Sequence, residues 1–169
     1  MQRIQIAVMV AAALGCALAL PATGADHETD AVLGGKLPEG YRDWRLISVA
    51  HEEGDLNDLR AVLGNDVAIT AYRAGKLPLP DGAIIARLAW RHVSSDENNR
   101  AFGRAQSFVA GPPTNVQFMV KDSRKYSSTG GWGFAQFTNG KADATAPGQC
   151  FACHVPAKAR DFVFTSYAP

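Results

Sequence analysis

The sequence predicts an α+β fold, mainly an antiparallel β-sheet with a few packed helices, one of them at the C-terminal end. Three observations predict it. Four or five short runs rich in aromatic and β-branched residues lie between Gly, Pro and Asn turn signals. Only one or two segments carry helical caps or helical spacing, and strands joined this way with so few helices close into an antiparallel sheet. Finally, Cys150 and Cys153 lie near the end of the chain, spaced as neighbours on one helical turn.

The elements follow in chain order. Met1-Gln2-Arg3, the uncharged apolar run Ile4 to Leu20 and the small-residue exit Pro21-Ala22-Thr23-Gly24-Ala25 make a secretory signal peptide. The run is interrupted by Gly15 and Pro21, and it falls short of the roughly 20 apolar residues of a spanning helix. Ala22 and Gly24 place cleavage after Gly24, so residues 1–24 are a leader and Cys16 is discarded with it. A periplasmic protein of one domain is expected. Loss of the leader removes Arg3 and no acid, which brings the formal charge from +1 to zero. With no basic run interleaved with aromatic residues, nothing points to nucleic acid.

Residues 25–40 read as a loosely ordered polar start, and residues 41–169 as the main domain. Tyr41 to Ala50 is the first strand. Leu56, Leu59, Val62 and Leu63 recur at helical spacing over a stretch too short for period alone to decide. Asn65 and Asp66 cap a helix from Val67 to Ala74 that ends at Gly75. After the Pro80-Asp81-Gly82 turn, Ala83 to Val93 is a strand apolar on both faces except for Arg87 and Arg91, so it must be covered on both. Residues 94–105 read as a polar loop and Gly111-Pro112-Pro113 as a turn. Asn115 to Val120 is a strand with Val116, Phe118 and Val120 on one face and Asn115, Gln117 and Met119 on the other. Lys121 to Gly131 is turn-rich, and Trp132 to Thr138 is a further strand.

The chemistry is carried by Cys150-Phe151-Ala152-Cys153-His154. This is C-x-x-C-H, the pattern that fastens haem covalently. Two thiols on one turn each form a thioether with a vinyl group, and the next residue presents an imidazole nitrogen to the iron. Zinc needs about four ligands, usually as two Cys/His pairs, and no second cysteine pair exists. A dithiol oxidoreductase places its pair at the start of a helix after an early strand. Export, the compartment of c-type maturation, further favours one covalent haem per chain, with His154 as its metal ligand.

Small electron-carrier cytochromes usually begin with this motif and supply a methionine from further along. No Met or His follows His154, so a sixth ligand would have to be His27, His51, His92 or Met119. Each has an ordinary reading in a mobile start, at a strand end or in a core. The favoured reading is therefore a five-coordinate iron that binds or converts small molecules, and the alternative is a six-coordinate electron-transfer cytochrome.

The chain resembles the cytochrome P-460 and cytochrome c-prime-beta group of periplasmic haem proteins. The likeness rests on Tyr41-Arg42-Asp43-Trp44, Pro80-Asp81-Gly82, Val120-Lys121-Asp122-Ser123, Gly131-Trp132-Gly133-Phe134 and the motif at Cys150 to His154 followed by Asp161-Phe162-Val163-Phe164-Thr165. It implies a haem set against an antiparallel sheet, a homodimer, a redox partner protein, and a small ligand or substrate of the nitrogen oxide class. It also makes Leu59 to Leu63 look like strand, with Arg60 directed at the distal pocket.

The P-460 branch oxidises hydroxylamine and bonds a lysine to the haem ring. Arg87 occupies that lysine position here, and a guanidinium stays charged and is a poor nucleophile. Gln117 aligns with the acid that the branch places over the iron, and an amide cannot take a proton. Both departures point away from hydroxylamine oxidation and leave open whether the chain is an enzyme. Lys76, a conceivable substitute, sits in a polar turn as a solvated lysine. Arg87, set among apolar neighbours, needs a partner: a haem propionate or a carboxylate if structural, the distal face if functional. Arg60, Arg87 and Gln117 are the expected distal residues.

Overall fold

A computed structural model describes residues 32–168; the leader, Cys16 and His27 lie outside the described residues. Six antiparallel strands form one sheet in sequence order: β1 (Arg45–Glu52), β2 (Asp58–Gly64), β3 (Ile84–Ser94), β4 (Phe108–Lys121), β5 (Trp132–Thr138) and β6 (Lys141–Ala142). Three α-helices accompany them among the described residues: α1 (Asp66–Arg73), α2 (Asp96–Phe102) and α3 (Ala146–His154). The α+β prediction therefore holds, with its helix at the C-terminal end.

Both faces of the sheet carry a packed core where Ile85, Ala86, Leu88 and Ala89 of β3 lie, as the two-sided apolar character of that strand requires. On one face Ile47, Val62, Ile85, Met119, Trp132 and Phe134 pack under α1. On the other, Leu63, Ala86, Leu88, Phe118 and Phe137 pack with Tyr41, Tyr126 and Val32. Full burial of a residue such as Ile47, Phe118 or Ile69 contributes about 1.5–3 kcal/mol.

Several local expectations are corrected. Tyr41–Asp43 is a 3-10 turn and the strand begins at Arg45; Tyr41 and Trp44 instead pack edge-on against Phe118, at 5.4 and 6.3 Å between ring centroids. The helical spacing of Leu56 to Leu63 is overridden by pairing on both sides of β2, as the family resemblance implies. The expected loop 94–105 contains α2. Ser95 caps it by accepting from Asn98 N at 3.3 Å, Asp96 and Glu97 stand in its first turn, and Gly103 ends it with a φ of 69°. None of its residues is buried, so no apolar period announced it.

Gly111-Pro112-Pro113 is not a turn but part of β4, which runs for 14 residues. Two register shifts, between Leu88 and Trp90 and between Trp90 and His92, absorb the prolines as bulges.

The connection from β2 to β3 is fixed by Asn65. Its Oδ1 accepts from Ala68 N and Ile84 N, both at 3.0 Å, and its Nδ2 donates to Gly82 O at 2.8 Å. Asn65→Ala is expected to destabilise the protein by about 2 kcal/mol in urea unfolding, a lost cap plus an orphaned strand amide. Asp81, across the turn, accepts from Ser123 Oγ at 2.7 Å and Ser123 N at 2.8 Å. These bonds, the hydroxyl first, hold its carboxyl below the usual range. Its contribution is thus present above the unfolded-state carboxylate pKa and lost as pH falls through the lower folded value. The stability gap between wild type and Asp81→Ala should be open at neutral pH and close in acid, as read by thermal melts across pH.

Candidate cofactor site

Helix α3 begins where Asp143 gathers Thr145, accepting from its N at 2.9 Å and its Oγ1 at 2.8 Å. These two bonds, the backbone one first, keep the Asp143 carboxyl low. Pro147 then occupies the first turn, where its missing N–H costs nothing. The spacing i, i+3, i+4 sets Cys150, Cys153 and His154 on one side of the helix. Cys150 and Phe151 pack against the face of the sheet that carries Met119 and Phe134. Burial raises the Cys150 thiol, with Cys153 and Asp143 adding to the rise, while Arg87 opposes it.

His154 is held from its far nitrogen. Its Nδ1 lies 2.7 Å from Phe162 O, and because a carbonyl only accepts, Nδ1 carries the hydrogen and Nε2 keeps its lone pair. Burial lowers the imidazole pKa, partly offset by that same bond, so the neutral form that binds metals is favoured. Phe134 and Phe164 flank the ring at 5.2 Å each.

The carbonyl belongs to an unusual turn. Asp161 and Phe162 both adopt left-handed backbone, with φ of 56° and 61°, at a cost on the order of 1–2 kcal/mol per residue. The Phe162 ring occupies the space where a Cβ on residue 130 would fall, at 2.2 Å. Gly130 is therefore required by close approach, which accounts physically for part of the glycine-rich segment before Trp132.

A polar layer spans the same sheet face. Asp58, 3 % exposed, receives Arg87 Nη2 on Oδ2 and Arg60 Nε and Nη2 on Oδ1 at 3.0 and 2.8 Å. Arg60 Nη1 also reaches Glu52 at 3.2 Å. Arg87 Nη1 donates to Asn115 Oδ1 at 2.9 Å and Gln117 Oε1 at 3.0 Å. Gln117 Nε2 donates to Gln136 Oε1 at 2.6 Å, and Gln136 Nε2 to Asp143 Oδ2 at 3.1 Å. One chain of hydrogen bonds thus links β1 to the start of α3. Burial first, and then the charge of Arg60, pulls the Arg87 pKa down, while Asp58 pulls it back.

The structure therefore brings Arg60, Arg87 and Gln117 together, and supplies Arg87 with the carboxylate partner its setting demanded. That partner, Asp58, was missed. Its signal was available once β2 was taken as strand, because Asp58 and Arg60 are two apart and share a face.

The other candidates separate. Register places His51 opposite Leu59 and thereby Trp90, on the face away from α3. There His51 stacks on His92 at 4.0 Å, and His92 on Phe108 at 4.3 Å. Met119 is on the same face as α3, but it is buried in the core with Phe134. Lys76 is exposed in the turn after α1, as expected.

These residues fit a haem. A free Nε2 and two thiols on one helical side make the donor set. Tyr72 adds a buried hydroxyl with no hydrogen-bond partner among the described residues. Burial, and secondarily the charge of Asp161, raises its pKa, so it persists as a donor for an acceptor that the described residues do not provide. A comparison with protein families finds that the model described as Cytochrome P460 matches residues 38–165. A comparison with curated proteins finds no match.

Because Asp58 is the carboxylate shared by two largely buried guanidinium groups, and Arg60 alone also reaches Glu52, Asp58→Ala should destabilise the fold by about 3 kcal/mol, chiefly the cost of leaving Arg87 uncompensated. Urea unfolding at neutral pH measures it, and a loss under about 1 kcal/mol would show the arginines satisfied by other groups.

Proposed function

The chain belongs to the cytochrome P460 family, whose cofactor is haem, and from that premise we propose an exported monohaem c-type protein that binds or converts small nitrogen oxides or diatomic gases. In this reading the haem is joined to Cys150 and Cys153, and His154 Nε2 is the proximal ligand. The observation that carries it is the bond from His154 Nδ1 to Phe162 O, which frees and aims one nitrogen beside two thiols. Export rests on the leader-like residues 1–24.

An open sixth position is favoured by the placement of the three alternatives among the described residues. His51 and His92 project from the opposite face, and Met119 is spent in the core. When bound, the haem supplies ligand binding and one-electron chemistry at iron. The chain's own residues supply the surroundings. Arg60 and Arg87 hold N–H donors and positive charge on the sheet face that Cys150 meets, and Gln117 and Asn115 hold Arg87 in place.

Proton abstraction from hydroxylamine is disfavoured, as is a ring cross-link. Arg87 has no nucleophilic amine, Gln117 has no basic oxygen, and both oxygens of Asp58 are occupied by arginines. In this reading the polar layer binds and polarises a ligand rather than taking a proton from it.

Protein exported by a host competent in cytochrome maturation should be coloured, with a mass above the bare polypeptide by one haem. Its ferrous spectrum should change rapidly on adding nitric oxide or carbon monoxide. An unchanged spectrum would indicate a filled sixth position and return the protein to electron transfer.

A second copy is the proposed protein partner, besides a redox protein. The outer sheet face carries an apolar groove of about 510 Å³ lined by Val49, His51, Leu59, Ala61, Trp90 and Ala110, and Val49 is 70 % exposed. The family resemblance supplies the occupant. Val49→Glu should convert the dimer to monomer in light scattering, and a wild-type monomer would remove the idea.

A further inference from the structure

We propose that the buried Lys121–Asp161 pair is a positioning device that sets the strength of the His154–iron bond by fixing the Phe162 carbonyl; this rests on His154 being the iron ligand. The two side chains are 6 % and 7 % exposed, with Lys121 Nζ 2.6 Å from Asp161 Oδ1. Asp161 Oδ2 accepts from Leu79 N at 2.9 Å, and Asp161 O accepts from Trp132 Nε1 at 2.8 Å. Lys121 Nζ also reaches Gly130 O at 3.3 Å and lies 4.8 Å from the Trp132 ring centroid. The end of β4, the segment before β3 and the start of β5 thus converge on one residue.

That residue precedes the carbonyl that receives His154 Nδ1–H. Asp161 and Phe162 sit in backbone that side chains other than glycine's rarely adopt, so the turn keeps its shape only while its surroundings enforce it. The carbonyl is aimed by the turn, and the turn is held through Asp161.

A buried ion pair is weak evidence for stability, since apolar replacements of like volume are often neutral or better. A role in geometry explains its place here. A well-aligned acceptor on Nδ1–H raises the basicity of the ligand nitrogen and fixes the ring orientation. Hydrogen bonds weaken steeply as alignment is lost, so a relaxed turn would weaken the donor nitrogen.

The test uses haem-loaded protein from a maturation-competent host, as wild type, Lys121→Met, Asp161→Asn and their double variant. The readouts are the iron–imidazole stretching band of the ferrous protein by resonance Raman, and the midpoint potential. Each single variant should shift the band to lower frequency and the potential to more positive values. The double variant should go no further than the larger single, because both act through one turn. Trp132→Phe deletes the indole bond to Asp161 O and keeps the ion pair, so it should move both readouts the same way by less.

A band and potential matching wild type in a folded, haem-loaded Lys121→Met or Asp161→Asn overturns the proposal. So does the failure of every variant, Trp132→Phe included, to fold, which would make the cluster structural alone. Wild-type protein without an iron–imidazole band overturns the proposed function first and this reading with it.

Discussion

A short hydrogen bond organises the C-terminal end of this protein: His154 Nδ1–H to the carbonyl of Phe162. It selects the tautomer and orients the ring, and it does so with a backbone atom eight residues along the chain. A backbone acceptor can be placed only by shaping the backbone, and here the shape is a left-handed pair at Asp161 and Phe162. Much of the detail around it answers to that need. Gly130 makes room for the Phe162 ring, Trp132 donates to the Asp161 carbonyl, and Lys121 neutralises the Asp161 carboxylate.

The sheet divides the molecule's chemistry between its faces. The face away from α3 carries a ring-rich core at one end, with Tyr41, Trp44 and Phe137 arranged around Phe118, and the exposed His51–His92–Phe108 stack at the other. The face toward α3 is apolar beneath α1 and polar beside Cys150. That polarity is costly to bury unless every group finds a partner. The chain from Glu52 through Arg60, Asp58, Arg87, Gln117 and Gln136 to Asp143 meets the requirement across five strands. It also connects Arg60, Arg87 and Gln117 to Asp143, which holds the residue that starts the helix bearing the cysteines.

This arrangement sets two guanidinium groups around one buried carboxylate, Asp58. The guanidinium of Arg87 finds that carboxylate on the neighbouring strand. Asp58 is thereby a counter-ion engaged through both oxygens.

The strand runs were legible in the amino-acid order because alternation and β-branched content are local, and so were the cap at Asn65 and the C-x-x-C-H spacing. Arg87 could be seen to need a partner, since its apolar neighbours lie within the same strand. Helix α2 was illegible because it buries nothing, and the two prolines in β4 resembled a turn because a bulge depends on the facing strand. Which carboxylate answers Arg87 and which face holds His51 and His92 were settled only by register between strands, and which carbonyl receives His154 by the left-handed turn at Asp161 and Phe162. A one-residue change of register reverses the face of every side chain. Residue types therefore determined the kind of chemistry, and the pairing of distant segments determined which groups meet to perform it.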